Sequence, residues 1–341
     1  MTFQQRIAAF ARLGQFFKQS AGRDDDPVFY KAQIHNPWFT PENIAKAIDA
    51  WGDTLTETKL ITWLGSYPDE AREPVKVAVI MAGNIPLVGF HDLLCVLISG
   101  NTAIVKPSSD DTVLIKWVIE ELIRIEPAFE ARIIISETRL PEGFDAVIAT
   151  GSNNTNRYFE YYFRDKPSLL RGSRNSAAIL SGNETPEDYL RLGEDIFTYF
   201  GLGCRNVSKL YVPEGFDPAT FYEGIESFSE VINHHKYANN YTYHKAIFLM
   251  NLTPHLDNNF LLLKQDDRIA SPLGVMFYEE YDNAESLGRM LEARKNEIQC
   301  IVGKSAAPGV LPLGKAQHPE LWDYADGVDT LAFLQKIPAG V

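Results

Sequence analysis

Val75-Lys76-Val77-Ala78-Val79-Ile80-Met81, followed by Ala82-Gly83-Asn84-Ile85-Pro86, is the stretch whose reading decides the fold. A short, nearly continuous apolar run rich in β-branched residues predicts a strand buried on both faces, as strands of parallel sheets are. The polar turn at its end leads into a helix over about 88–98, closed by Ser99-Gly100-Asn101. The same sequence of events then repeats. A second strand at 102–105 ends in Lys106-Pro107-Ser108-Ser109, and a helix follows at about 112–125. A third strand lies at 131–136. A fourth at 145–149 ends in Thr150-Gly151-Ser152, before a helix over about 153–163. Strands alternating with helices of this length imply βαβ units, a parallel sheet and right-handed crossovers. Ligands of such sheets sit at the carboxyl ends of the strands, where these polar turns fall.

Downstream a second cycle begins, with a strand at 177–180. Thr185-Pro186-Glu187 opens a helix reaching about residue 200, Gly201-Leu202-Gly203-Cys204 is the turn after it, and a strand follows at 208–212. Further strands are expected at 245–250, 274–278 and 299–302, with a helix at about 284–295 and a Pro- and Gly-containing tail after Gly303. Upstream, residues 1 to about 72 read as helices with Pro-marked breaks, Thr40-Pro41-Glu42-Asn43 being a helix start. The fold class is therefore α/β with two parallel-sheet domains meeting near residues 168–176.

The totals agree with this outline. At 341 residues the chain exceeds what one core usually supports. A formal net charge of −13 weighs against a nucleic-acid backbone as partner. No apolar run approaches the ~18 residues of a membrane span. The amphipathic, basic N-terminus lacks the pattern of a signal peptide, which with free thiols points to a cytoplasmic protein. Cys95, Cys204 and Cys300 are widely spaced, with no metal-type cluster. Cys95 lies on the apolar face of a helix and Cys300 within an apolar strand, as buried structural cysteines do.

Cys204 stands in a Gly-rich turn beside Arg205, a cation able to raise the thiolate fraction, so it reads either as a nucleophile or as another buried thiol. Asn84 reads as an oxyanion donor or a helix cap. Lys106 and its serines read as a phosphate site or a solvated turn, and Gly151-Ser152 as a pyrophosphate cradle or a cap. The GxGxxG dinucleotide fingerprint is missing. The dense aromatics Tyr158, Phe159, Tyr161, Tyr162 and Phe163 fit a helix packed on the sheet, and Asn233-His234-His235-Lys236-Tyr237 reads as a polar loop.

Taken in order, these motifs resemble those of the aldehyde dehydrogenases. Asn84-Ile85-Pro86, Gly100-Asn101-Thr102-Ala103-Ile104-Val105-Lys106-Pro107-Ser108, Thr150-Gly151-Ser152, Gly201-Leu202-Gly203-Cys204 and Ser271-Pro272-Leu273-Gly274-Val275 look like that superfamily's successive elements over about 72–305. The tail segments Leu311-Pro312-Leu313-Gly314-Lys315-Ala316-Gln317-His318-Pro319 and Asp323-Tyr324-Ala325-Asp326-Gly327-Val328-Asp329-Thr330 resemble its long-chain acyl-CoA reductase (LuxC-like) branch. The resemblance implies an aldehyde-dehydrogenase-like fold whose first domain is a variant Rossmann domain without GxGxxG. Residues 1–72 would pack on an NADP-binding domain at 73–170, followed by a thiol domain at 171–310 and a tail at 311–341. It implies Cys204 as catalytic thiol and Asn84 as oxyanion donor. Lys106, Ser108 and Ser109 would contact the adenosine ribose, and Gly151 and Ser152 the pyrophosphate.

Three departures refine what the resemblance implies. The segment carrying the water-activating Glu of ordinary aldehyde dehydrogenases reads Leu170-Arg171-Gly172-Ser173-Arg174, with Leu170 at the Glu position, so an acyl-cysteine would not pass readily to water. Ser109 stands where NAD-preferring relatives carry Glu; with Lys106 it favours a 2′-phosphate and hence NADPH. Ser271 replaces the Glu that holds the nicotinamide ribose in relatives. The expected activity is NADPH-dependent reduction of an acyl thioester, fatty acyl-CoA foremost, to the aldehyde. CoA or an acyl-donor protein would be the partner, with no metal. The N-terminal region and tail are shorter than in full-length relatives, so a homo-oligomer is allowed by the resemblance but not specified. Two alternatives stay open: an acyl-phosphate or semialdehyde-type reductase, and a non-catalytic nucleotide-binding partner subunit.

Overall fold

The computed structural model describes residues 1–23, 26–67, 73–138, 140–305 and 308–338. The chain forms two compact units, Met1–Ser173 with Glu320–Val341, and Arg174–Pro319. The boundary expected at residue 72 falls outside the described residues.

The first unit opens with four helices: α1 (Phe3–Ala21), α2 (Pro27–His35), α3 (Pro41–Thr54) and α4 (Glu57–Leu64). Each starts where a side-chain oxygen can take an orphan N–H: Thr2, Asp26, Thr40 and Thr56 all cap, and Pro opens α2 and α3. Then come β1 (Lys76–Ile80), α5 (Phe90–Ile98), β2 (Thr102–Lys106), α6 (Thr112–Ile125), β3 (Ile133–Ile135), β4 (Ala146–Thr150), α7 (Asn153–Tyr162) and β5 (Ser168–Arg171). The five strands form one parallel sheet in the order β3-β2-β1-β4-β5, with Val79 opposite Val105 on one side and Ile148 on the other. The order reverses between β1 and β4, so the crevice above their carboxyl ends is the sheet's topological switch point. The continuous apolar runs of β1, β2 and β4 are buried, as strands covered on both faces must be.

The second unit contains β6 (Asn175–Ile179), α8 (Pro186–Phe197), β7 (Val207–Pro213), α9 (Pro218–Gly224), α10 (His235–Met250), β8 (Leu256–Asp257), β9 (Leu262–Gln265), β10 (Val275–Tyr281), α11 (Ala284–Arg294), β11 (Ile298–Gly303) and β12 (Val310–Leu311). Its sheet runs β12-β11-β6-β7-β10-β9-β8, parallel except for the β8–β9 pair. The chain then returns to the first unit. There α12 (Thr330–Gln335) and its approach bury Leu321, Leu331, Leu334 and Ile337 in the core beneath α1 to α6. Burial of each such side chain is worth about 1.5–3 kcal/mol.

Four expectations need correcting. Residues 245–250 are not a strand but the last turns of α10. A short apolar run does not by itself separate the two, and buried Tyr237, Tyr241 and Phe248, four and seven residues apart, share one helical face. The polar loop at 233–237 is for the same reason largely the start of α10. The helix expected to reach about residue 200 ends at Phe197. Finally, α7 buries none of its own residues: Tyr158, Tyr161 and Tyr162 are exposed, and only Phe159 and Phe163 pack against the sheet.

Candidate active site

In the first unit, the turns after β1, β2 and β4 all lie at the carboxyl edge. Gly83 and Asn84 follow β1, and Asn84 is exposed. It does not cap a helix, because the chain makes a further turn before α5 starts at Phe90. That turn is unusual: Leu87 is left-handed, with φ 58°. Buried Asp111 holds it, accepting the Leu87 N–H at 2.7 Å. Burial pushes the Asp111 carboxyl well above the usual carboxylate range. Sequence reasoning missed Asp111, whose role shows only once the β1 and β2 turns are side by side.

Gly83 sits so close to Ser108 that a Cβ on it would come within 2.6 Å of the serine's Cβ and Oγ. The β1 turn thus rests directly on Lys106-Pro107-Ser108-Ser109. Lys106 donates from Nζ to the carbonyls of Glu137 and Thr138, at 3.3 and 3.2 Å. Ser108 Oγ accepts the Asp110 N–H at 3.2 Å, and the Ser109 carbonyl meets His35 Nε2 at 2.5 Å. Across the switch point, Ser152 caps α7 by accepting the Thr155 N–H. Gly151 lies beside it, and a Cβ there would stand 3.0 Å from Thr155. A helix N-terminus behind a backbone stripped of side chain is suited to a pyrophosphate. Asn84, Lys106, Ser108, Ser109, Gly151 and Ser152 therefore share one edge of one sheet, and these residues fit a dinucleotide.

Leu170 lies on β5, with its side chain against the apolar cluster of Ala78, Ile104 and Val147. The next residue, Arg171, is buried. It donates to Asp92 through Nε and Nη2 at 3.3 and 2.8 Å, to Thr330 Oγ1 at 2.7 Å and to the Ala325 carbonyl at 2.5 Å. Asp92 is thereby committed to an ion pair with Arg171. Ala325 and Thr330 belong to the tail motif Asp323–Thr330. Tyr324 accepts from Trp63 Nε1 and meets the Tyr67 hydroxyl, each at 2.7 Å, and Tyr67 donates to Asp329. The tail motif is a polar staple of the first unit.

Cys204 belongs to the second unit and is half-buried. Thr198 leaves the helical conformation, and Tyr199, Phe200 and Gly201 follow with φ of 54°, 58° and 80°. A left-handed conformation costs a bulky residue about 1–2 kcal/mol. Buried Asn206 offsets that: its Nδ2 donates to the carbonyls of Asp195, Ile196 and Thr198, and its Oδ1 accepts the Gly203 N–H at 2.8 Å. From the sheet, buried Ser176 donates its hydroxyl to the Cys204 carbonyl at 3.0 Å. The same hydroxyl lies 3.1 Å from Cys300 Sγ and accepts the Cys300 N–H. Cys300 is thus half-buried beside the Cys204 turn rather than inert in a core. Arg205 Nε donates to the Ala316 carbonyl at 2.7 Å. Asp195 accepts the N–H groups of Gly314 and Ala316, so the first tail motif is tied to the helix before Cys204. Ser271 donates its hydroxyl to the Val275 carbonyl at 2.6 Å. Among the described residues no cluster of metal-ligating side chains occurs, and no helix is long and apolar enough to cross a membrane.

The architecture is that of the aldehyde dehydrogenases. It aligns with aldehyde dehydrogenase 21 of Physcomitrella patens, solved with succinate, at a TM-score of 0.68 and 14% identity, covering 98% of this chain and 84% of that one. It aligns with the NADP complex of NADP-dependent glyceraldehyde-3-phosphate dehydrogenase from Bacillus halodurans at a TM-score of 0.62 and 13% identity, covering 90% and 74%. In sequence it is 23% identical to N-succinylglutamate 5-semialdehyde dehydrogenase 2 of Caulobacter vibrioides over 145 residues, 39% of this chain and 30% of that relative, less than a third of its length. Residues 66–238 match the family profile of acyl-CoA reductase (LuxC), and the chain belongs to that family.

Proposed function

We propose that the protein reduces an acyl thioester, with fatty acyl-CoA as its foremost substrate, to the aldehyde through an acyl-cysteine on Cys204. The observation that carries this reading is the family match over 66–238, which contains Asn84, Lys106, Ser152 and Cys204 in that order on the matching fold. In this reading the Cys204 thiolate attacks the thioester carbonyl. The Asn84 amide and the Cys204 N–H stabilise the oxyanion, and the departing thiol, such as CoA, takes up a proton. Bound NADPH supplies the hydride that reduces the acyl group. The hemithioacetal on Cys204 then collapses to aldehyde and free thiol. Lys106, Ser108 and Ser109 would hold the adenosine ribose and its 2′-phosphate, and Gly151 and Ser152 the pyrophosphate. Leu170, packed in an apolar cluster, provides no base for water, so the acyl group is kept for reduction.

The test is NADPH oxidation with a panel of acyl-CoAs, comparing the wild type with Cys204→Ala. Turnover lost in the variant supports the reading. Cys204 acylation without turnover favours an acyl group delivered by a partner protein. Neither turnover nor acylation leaves the nucleotide-binding subunit.

A further inference from the structure

Around Ser176 the sheet of the second unit shifts register on both sides. Between β6 and β11, Asn175 pairs with Ile298 and Ala177 with Ile301, so β11 carries one residue more than β6 over that step. Between β6 and β7, Ser176 pairs with Val207 and Ala177 with Lys209, so there β7 carries the extra residue. Shifts of this kind re-aim a side chain and interrupt the ladder, and they gather next to active sites. Within the shifted step of β11, the Cys300 N–H donates to the Ser176 hydroxyl oxygen at 3.2 Å.

Counting protons at that hydroxyl fixes the direction of each bond. Ser176 is fully buried, and its one proton goes to the Cys204 carbonyl at 3.0 Å, because a carbonyl only accepts. The oxygen then has two bonds to accept. One comes from the Cys300 N–H, and Cys300 Sγ, 3.1 Å away, must donate the other through its S–H. The Cys300 thiol therefore holds the hydroxyl in the orientation that serves Cys204.

At the other end of this chain of bonds is the backbone of the candidate nucleophile. The Gly203 carbonyl accepts the Asn206 N–H at 3.0 Å, which fixes the peptide plane before Cys204. That peptide is trans and planar, so the Cys204 N–H points away from the Gly203 carbonyl. Ser176 fixes the plane after Cys204 through its carbonyl. With both planes set, the direction of the Cys204 Cα–Cβ bond is set as well.

We propose that Ser176 is a positioning residue for the Cys204 thiol, and that the Cys300 S–H group locks Ser176 in that role. The proposal rests on the acyl-cysteine reading above. Ser176 acts through the backbone of Cys204 and determines where the sulfur stands when a thioester carbonyl arrives. Attack needs the reacting atoms about 3–3.5 Å apart and aligned, and a misplacement of about 1 Å can cost about a hundredfold. Loss of the hydroxyl therefore slows acylation and leaves thioester affinity nearly unchanged.

The experiment follows acylation by octanoyl-CoA with rapid quenching, intact mass and peptide mapping to Cys204. A range of thioester concentrations separates the limiting rate constant from the half-saturating concentration. Wild type, Ser176→Ala, Cys300→Ala, Cys300→Ser and the double variant Ser176→Ala with Cys300→Ala are compared. In Ser176→Ala the limiting rate constant falls about tenfold or more, with half-saturation within about twofold of the wild type. Cys300→Ala lowers it about threefold, and Cys300→Ser, which keeps a donor, recovers most of that loss. The double variant falls no further than Ser176→Ala, because Cys300 acts through the hydroxyl. A merely structural loss lowers the fraction of protein that acylates and not its rate constant. Acylation of Ser176→Ala at the wild-type rate constant overturns the positioning role and leaves the reductase reading standing. Equal rates in Cys300→Ala and Cys300→Ser, or losses that multiply in the double variant, overturn the lock. If Ser176→Ala does not fold, the Cys300 pair, at a half-buried position, still decides. No acylation of the wild type overturns the acyl-cysteine reading, and the proposal with it.

Discussion

Asn206 is the residue on which the candidate nucleophile's turn depends, because one amide group satisfies three carbonyls at the end of α8 and the N–H of Gly203. Nothing in the motif Gly201-Leu202-Gly203-Cys204 announced it. The sequence made the thiol and its glycines legible, but not the side chain that offsets two left-handed aromatics. Asp195, on the same helix end, is buried, and burial raises its pKa to about 6 despite the two N–H groups it accepts. A carboxyl that binds its proton more tightly when folded makes stability fall as pH rises from its unfolded value of about 4 to about 6. Thermal melts should show that slope in the wild type and a flatter one in Asp195→Asn; parallel slopes would refute the assignment. Ser109→Glu places a carboxylate near the site proposed for a 2′-phosphate. It should raise the KM for NADPH at least tenfold while sparing NADH, as steady-state kinetics with both nucleotides would show.

At the scale of the element, β5 does work that its sequence conceals. Leu170-Arg171 was legible as a place where a carboxylate is missing, yet Arg171 turned out to be a buried ion-pair partner of Asp92 held by Ala325 and Thr330. Such a network joins residues far apart in the chain, and local pattern carries no trace of it. Removing one partner of a buried pair strands the other charge. Arg171→Met should therefore lower stability by about 3–5 kcal/mol, seen as a large fall in Tm, and the double variant Arg171→Met with Asp92→Leu should recover much of it. Equal losses in the single and double variants would show that the pair contributes little. Where periodicity was long and uninterrupted, as in α6, the helix was legible to its ends. Where an apolar run was short, as at 245–250, it was read as strand and is helix.

For the whole molecule, alternating strands and helices were enough to give an α/β chain with parallel sheets, because right-handed crossovers leave few other arrangements. The return of the tail to the first unit was not legible, since only packing of Leu321, Leu331 and Leu334 in that core specifies it. The central claim about the molecule is that it holds an acyl group on one cysteine and yields it to hydride rather than to water. The most direct measurement is a single-turnover experiment: incubate the protein with octanoyl-CoA without nucleotide, locate the acyl group by mass spectrometry, then add NADPH. The account predicts a long-lived thioester on Cys204, absent in Cys204→Ala, that discharges to octanal only when NADPH is added. Release of free octanoate without NADPH, or acylation at another residue, would contradict it.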